Sequence, residues 1–225
     1  MKLRPTLAAS ASMALLGAGA AVAPSLAGAA IPAKPVQIYS GTALVSIDPA
    51  VITPLGISLE GRPPSRNPGN RFGLKAAGVK VKIVGGVMRL RGTLKGQLRT
   101  VGGFALTRPD PVVPPATPTT SKVTFNWPSY SFGSGPKVST ILGVQSEWGD
   151  RSTWFKFALP AGTVKISAAG TLSIKNAPLS LTAVGAAGMN AVFGNGAAPF
   201  VAGQQVGTTT ITTRWYVPRS GGSGR

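Results

Sequence analysis

The chain has 225 residues, with 23 Lys and Arg against 5 Asp and Glu, and it contains neither cysteine nor histidine. This excludes disulfides, thiolate metal sites, cysteine nucleophiles and every mechanism that needs an imidazole base. Thirty glycines and 20 prolines spread along the whole length argue for an all-β chain, an antiparallel β-sandwich or partly open barrel with no substantial helix after the leader.

Residues 1–29 read as a signal peptide. Lys2 and Arg4 precede an apolar stretch from Leu7 to Val22, and Ala27-Gly28-Ala29 is a small-residue cleavage site. Cleavage leaves about 195 residues and takes the net charge from +18 to +16 with the loss of Lys2 and Arg4. A secreted or cell-envelope location is expected. Residues 30–108 then form a basic β region, 109–120 a Pro-rich linker or crossover, 121–219 an aromatic β region, and 220–225 a flexible tail.

Val36–Ile47 reads as one or two short strands, broken by Pro49 to Pro54, with another short strand over Gly56–Leu59. Gly61–Asn70 holds three prolines and two glycines and reads as a loop carrying Arg62 and Arg66, with Arg71 at its edge. Ala77–Val101 is the most informative stretch. Gly85-Gly86 between two alternating runs predicts a tight hairpin. It places Lys82 opposite Arg89 and Lys80 opposite Arg91, with Val79, Val81, Ile83, Met88 and Leu90 on the other face. The second arm is expected to run on through Lys95 and Arg99, followed by a return strand over Phe104–Thr107. Between Arg62 and Arg108 there are eleven basic residues and no acid.

In the second half, Val123, Phe125 and Trp127 alternate. Thr140–Trp148 and Arg151–Leu159 predict a hairpin around Gly149-Asp150, with Trp154 and Phe155 on opposite faces. Val164–Ile174 and Leu179–Val184 read as strands, Gly185–Gly207 as long loops around one short strand, and Thr208–Val217 as a Thr-rich strand suited to closing a sheet.

Catalytic chemistry finds little footing. Glu147 and Asp150 are the only close acidic pair; a glycosidase would use two such groups, but a turn Asp and a surface Glu account for them. Ser134 and Lys137 have the spacing of a serine-lysine pair, yet lie among Gly133, Gly135 and Pro136 without the companion motifs. No catalytic residue, metal site or cofactor is expected.

Like charges facing each other across a ladder are destabilising, and no carboxylate lies nearby in sequence to relieve them. Lys80, Lys82, Arg89 and Arg91, extended by Lys95 and Arg99 and supplemented by Arg62, Arg66 and Arg71, therefore read as a site for an anionic polymer or an anionic lipid surface. Nucleic acid is the weaker partner, since only Phe72 and Phe104 are near the basic block. Two alternatives belong to other classes. One is a homo-oligomeric β-barrel pore with a basic, anion-favouring lumen. The other is a structural surface or appendage subunit. The aromatics Trp127, Tyr130, Trp148, Trp154, Trp215 and Tyr216 read mainly as core or rim packing rather than as a ligand platform.

Overall fold

Strand-forming alternation governs most of the chain. A computed structural model describes residues 31–62, 78–109, 120–144, 147–194 and 198–218. The signal segment, Arg66, Arg71, most of the Pro-rich stretch and the tail lie outside these residues. Among the described residues there are eleven strands, β1 (Val36–Ile47), β2 (Ser58–Arg62), β3 (Val79–Arg89), β4 (Lys95–Val101), β5 (Gly103–Pro109), β6 (Thr120–Phe132), β7 (Lys137–Val144), β8 (Glu147–Phe157), β9 (Val164–Ser167), β10 (Thr171–Leu181) and β11 (Gln205–Tyr216). Two short helices accompany them, α1 (Pro49–Ile52) and α2 (Ala183–Phe193).

Every strand pairing is antiparallel. From β6 the ladder runs through β4, β3, β1, β11, β10, β8 and β7 and returns to β6, so the sheet closes on itself. Closure pairs most of the edges that invite intermolecular pairing, leaving β2 and β9 paired on one side alone. β2 hangs from β5, and β9 from β10. The inward residues of both walls form one core, including Val81 and Ile83 of β3, Ala43 and Val45 of β1, Ile211 of β11, Phe155 of β8 and Phe125 of β6. The fold is thus all-β and sandwich-like, as the composition indicates.

The predicted hairpin reverses elsewhere. β3 continues straight through Gly85-Gly86, and the reversal lies at Leu90–Leu94, where Gly92 has φ +73°. Lys82 therefore faces Val101, and Arg89 faces Lys95. Gly86 is needed because the Gln97 carbonyl passes where a Cβ would be. Close backbone approach, not a turn, explains the glycine. The inward set survives the correction, and Val79, Val81, Ile83, Met88 and Leu90 are all fully buried.

Phe104–Thr107 is not a return strand. β4 and β5 run in the same direction along one side of β6, from Gly96↔Phe132 to Pro109↔Thr120. They form one bent strand, kinked where Gly102 (φ +86°) accepts a hydrogen bond from Trp127 N (2.8 Å). The ends of the Pro-rich segment consequently sit opposite each other on one ladder.

In the second half, β7 and β8 reverse between Val144 and Glu147, not at Gly149-Asp150, which lies inside β8 where the register slips. Trp154 is the extra residue of another bulge, between Phe155↔Val138 and Thr153↔Ser139. Consecutive Trp154 and Phe155 are both buried and both meet the Phe125 ring, at 5.3 and 5.5 Å between centroids. The expected opposite-face placement fails because a bulge breaks alternation.

Where long loops were expected, Ala183–Phe193 is helical. Thr182 caps it, its hydroxyl accepting from Gly185 N at 2.9 Å. Gly185 and Gly188 let the helix lie directly on Trp154, with no room for a Cβ at either position. Arg108 closes the other end. Its Nη1 donates to the Phe193 carbonyl at 2.7 Å, and its guanidinium sits 5.6 Å from the centre of the Phe193 ring. A cation there complements the helix dipole.

Candidate functional site: a basic outer wall and an aromatic cleft

Alternation turns the polar set of β3 and β4 outward. Lys80, Lys82 and Arg89 of β3 and Lys95 and Arg99 of β4 are all exposed, and Arg91 is exposed in the reversal between them. Arg89 and Lys95 face each other directly. Lys80 and Lys82 instead face Leu44 and Thr42 of β1, so the compact four-charge square expected from a Gly-Gly turn does not form. Arg62 is not part of this face; it ends β2, elsewhere on the sheet.

The ladder brings in cations that the sequence did not connect. One register row runs Val87↔Gln97↔Ser131↔Lys137↔Lys156 across β3, β4, β6, β7 and β8. Lys137 and Lys156 are exposed and directly opposite, a second like-charge pair on the same outer wall. The described acids lie elsewhere. Asp48 caps α1, accepting from Ala50 N at 2.9 Å; Glu60 on β2 is near Lys122, at 3.9 Å; Glu147 and Asp150 are at the far end of β8.

A second row crosses five strands, Arg62↔Gly103↔Asn126↔Ile141↔Arg151. With Gly102, Trp127 and Trp148, most of these residues line an open cleft of about 630 Å³. Trp127 is 52% exposed and Trp148 59% exposed. Trp127 takes φ +43°, a left-handed conformation rarely adopted by a bulky residue, at the bulge against Gly102. Trp148 rests on Gly143, its ring about 3.2 Å from where a Cβ would be. The Arg62 guanidinium sits over the Trp148 ring, 5.7 Å from its centre. Nη1 of Arg151 donates to the Trp127 carbonyl (3.1 Å) and the Ser139 carbonyl (3.0 Å).

The aromatic set therefore divides. Tyr130, Trp154 and Trp215 are core residues, whereas Trp127 and Trp148 share the cleft. Tyr216 joins Tyr39, with ring centroids 5.9 Å apart and each side chain 51% exposed. Tyr39 lies at a β1 bulge, and the exposed Val84 and Val87 of the adjacent β3 extend this apolar patch along the basic strand. Alternation already turns Val84, Val87 and Tyr216 outward; what it does not show is that β1 lies between β3 and β11 and so brings them beside Tyr39.

No family model and no curated sequence matches the chain. Among solved structures, the fold is similar to the C-terminal domain of HtaA from Corynebacterium glutamicum, with a TM-score of 0.55 and 11% identity over 80% of this chain and 99% of that chain. At that identity the likeness is one of fold.

Proposed function

We propose that this is a non-enzymatic protein of the exterior or cell envelope that binds an anionic polymer through the outer wall of β3, β4, β7 and β8. The observation that carries this reading is the pair of like-charge contacts, Arg89↔Lys95 and Lys137↔Lys156, on strand segments without a neighbouring carboxylate. Each costs stability in the free protein and is relieved by a bound polyanion. A channel wall would need the apolar face of β3 against lipid, but that face fills the core.

Retention on heparin across a salt gradient tests the proposal. The protein should bind tightly at low salt and elute as salt rises. Replacing Arg89, Lys95, Lys137 and Lys156 with Gln should move elution to markedly lower salt. Equal elution of both proteins would overturn the reading. A second reading, docking on an anionic lipid surface, is favoured by Tyr39, Val84, Val87 and Tyr216, since tyrosine suits the membrane interface. Tyr39→Ser with Tyr216→Ser should weaken binding to phosphatidylserine vesicles and leave heparin retention unchanged; unchanged vesicle binding would remove this reading.

A further inference from the structure

The polyanion reading leaves the cleft unexplained. Charge alone needs no indoles, yet two half-exposed tryptophans share the cleft, and Trp127 is held there in a left-handed conformation that points to function. We infer that the cleft binds an acidic sugar unit of a polysaccharide, with Trp127 stacking on the ring and Arg62 holding its carboxylate or sulfate. This rests on the polyanion reading and names the class of polymer.

Three features support it. First, the cleft is organised before any ligand arrives. Arg62 lies on Trp148, and Arg151, beside the cleft, donates through one nitrogen to the Trp127 and Ser139 carbonyls and so fixes the Trp127 backbone. A restrained fork such as Arg62 loses little entropy on meeting a planar anion. Second, the platform is Trp127. One face of Trp148 rests on Gly143 and Arg62 sits over its ring, while Trp127 is kept outward by its left-handed backbone. An indole face suits the apolar C–H face of a sugar ring, and the Asn126 amide beside it supplies a donor and an acceptor for hydroxyls. Third, cleft and wall are continuous. Arg99 pairs with Ser129, Ser129 with Ser139, and the next row along the same strands carries Asn126, Ile141 and Arg151. A chain lying on Arg99 and Lys137 thus reaches the cleft within about 10–13 Å, three residues of strand from the Arg99 row and four from Lys137. A single-stranded nucleic acid would want successive stacking platforms, and here one indole is open.

The test compares three probes on the full protein: oligogalacturonate, polyphosphate of matched charge, and oligo(dT). Trp127→Gly suits the left-handed backbone, so the variant should fold, and Trp127→Asn serves as a second variant tolerant of that conformation. Wild type should prefer oligogalacturonate, with a shift in tryptophan emission. Both variants should lose about tenfold in oligogalacturonate affinity, with polyphosphate binding unchanged. Variants that bind oligogalacturonate like wild type, a wild type that binds polyphosphate equally well, or a preference for oligo(dT) would each overturn the inference. If polyphosphate is retained but Trp127 proves indifferent, only the cleft assignment fails. If neither polyanion is retained, the polyanion reading fails with it.

Discussion

Tyr130 ties the stability of the barrel to pH. Its ring is fully buried, and burial pushes the phenol pKa from 10.0 up to about 12, against the smaller opposing effect of the Thr209 hydroxyl 3.4 Å away. The neutral form is favoured in the folded state, so this contribution is fully present below pH 10. Between pH 10 and 12 the unfolded chain gives up the proton and the folded one keeps it. Stability should therefore fall across that window by roughly 2–3 kcal/mol from this group. Tyr130→Phe should cost about 1 kcal/mol at pH 7 and show a shallower loss than wild type from pH 10 to 12 in chemical denaturation; parallel curves would refute the assignment. Gly188 offers a second residue-scale test. Gly→Ala inside a helix ordinarily stabilises by up to about 1 kcal/mol. Here a Cβ would fall inside the Trp154 ring, itself held against Phe125. Gly188→Ala should instead destabilise by about 1–3 kcal/mol, and a rise in melting temperature would show that α2 does not lie on Trp154.

At the scale of elements, the glycines separate two ways of building the basic hairpin. A two-residue Gly85-Gly86 turn would need positive φ at Gly85, and at Gly86 as well in its type I′ form. In the fold neither has it; Gly85 has only ordinary contacts near its Cβ position, at 3.7 and 3.9 Å, whereas Gly86 meets the β4 backbone. Gly85→Ala should thus be tolerated within about 0.5 kcal/mol, and Gly86→Ala should cost about 1–3 kcal/mol. Gly92→Ala should cost about 1–2 kcal/mol through its left-handed backbone alone. Comparable losses at Gly85 and Gly92 would favour the Gly-Gly turn. The same glycines show what was legible. Alternation correctly named the buried side of β3, because period two is a local property. It did not locate the reversal, because a glycine that admits a neighbouring backbone looks in sequence like a glycine that turns. The Ala- and Gly-rich α2 was missed for a related reason. Its small residues fit the Trp154 surface, and that surface is set by a bulge in β8.

At the scale of the whole molecule, the proposed binding surface is a product of ladder closure. Lys95, Lys137 and Lys156 belong to three strands, and Arg62, Asn126 and Arg151 to three others or to distant parts of the same ones. Only the register of the closed sheet makes them neighbours. The charge excess was legible from composition, and facing like charges were expected, but the partners that face each other, Arg89 with Lys95 and Lys137 with Lys156, were not legible. That arrangement implies a conflict between stability and binding, which one substitution can expose. Lys137→Glu would turn the repulsive Lys137↔Lys156 contact into an attractive one on the exposed face. Cross-strand charge pairs of this kind contribute about 0.2–1 kcal/mol, and repulsive ones cost a similar amount. The variant should therefore melt slightly higher than wild type at low ionic strength, with the difference shrinking as salt screens both contacts. On heparin the same variant should elute at lower salt, since the wall loses one cation and gains an anion. Higher stability with weaker retention would show that the repulsion is kept for binding. A variant that gains stability with no loss of retention would mean that the β7 and β8 end of the wall does not take part.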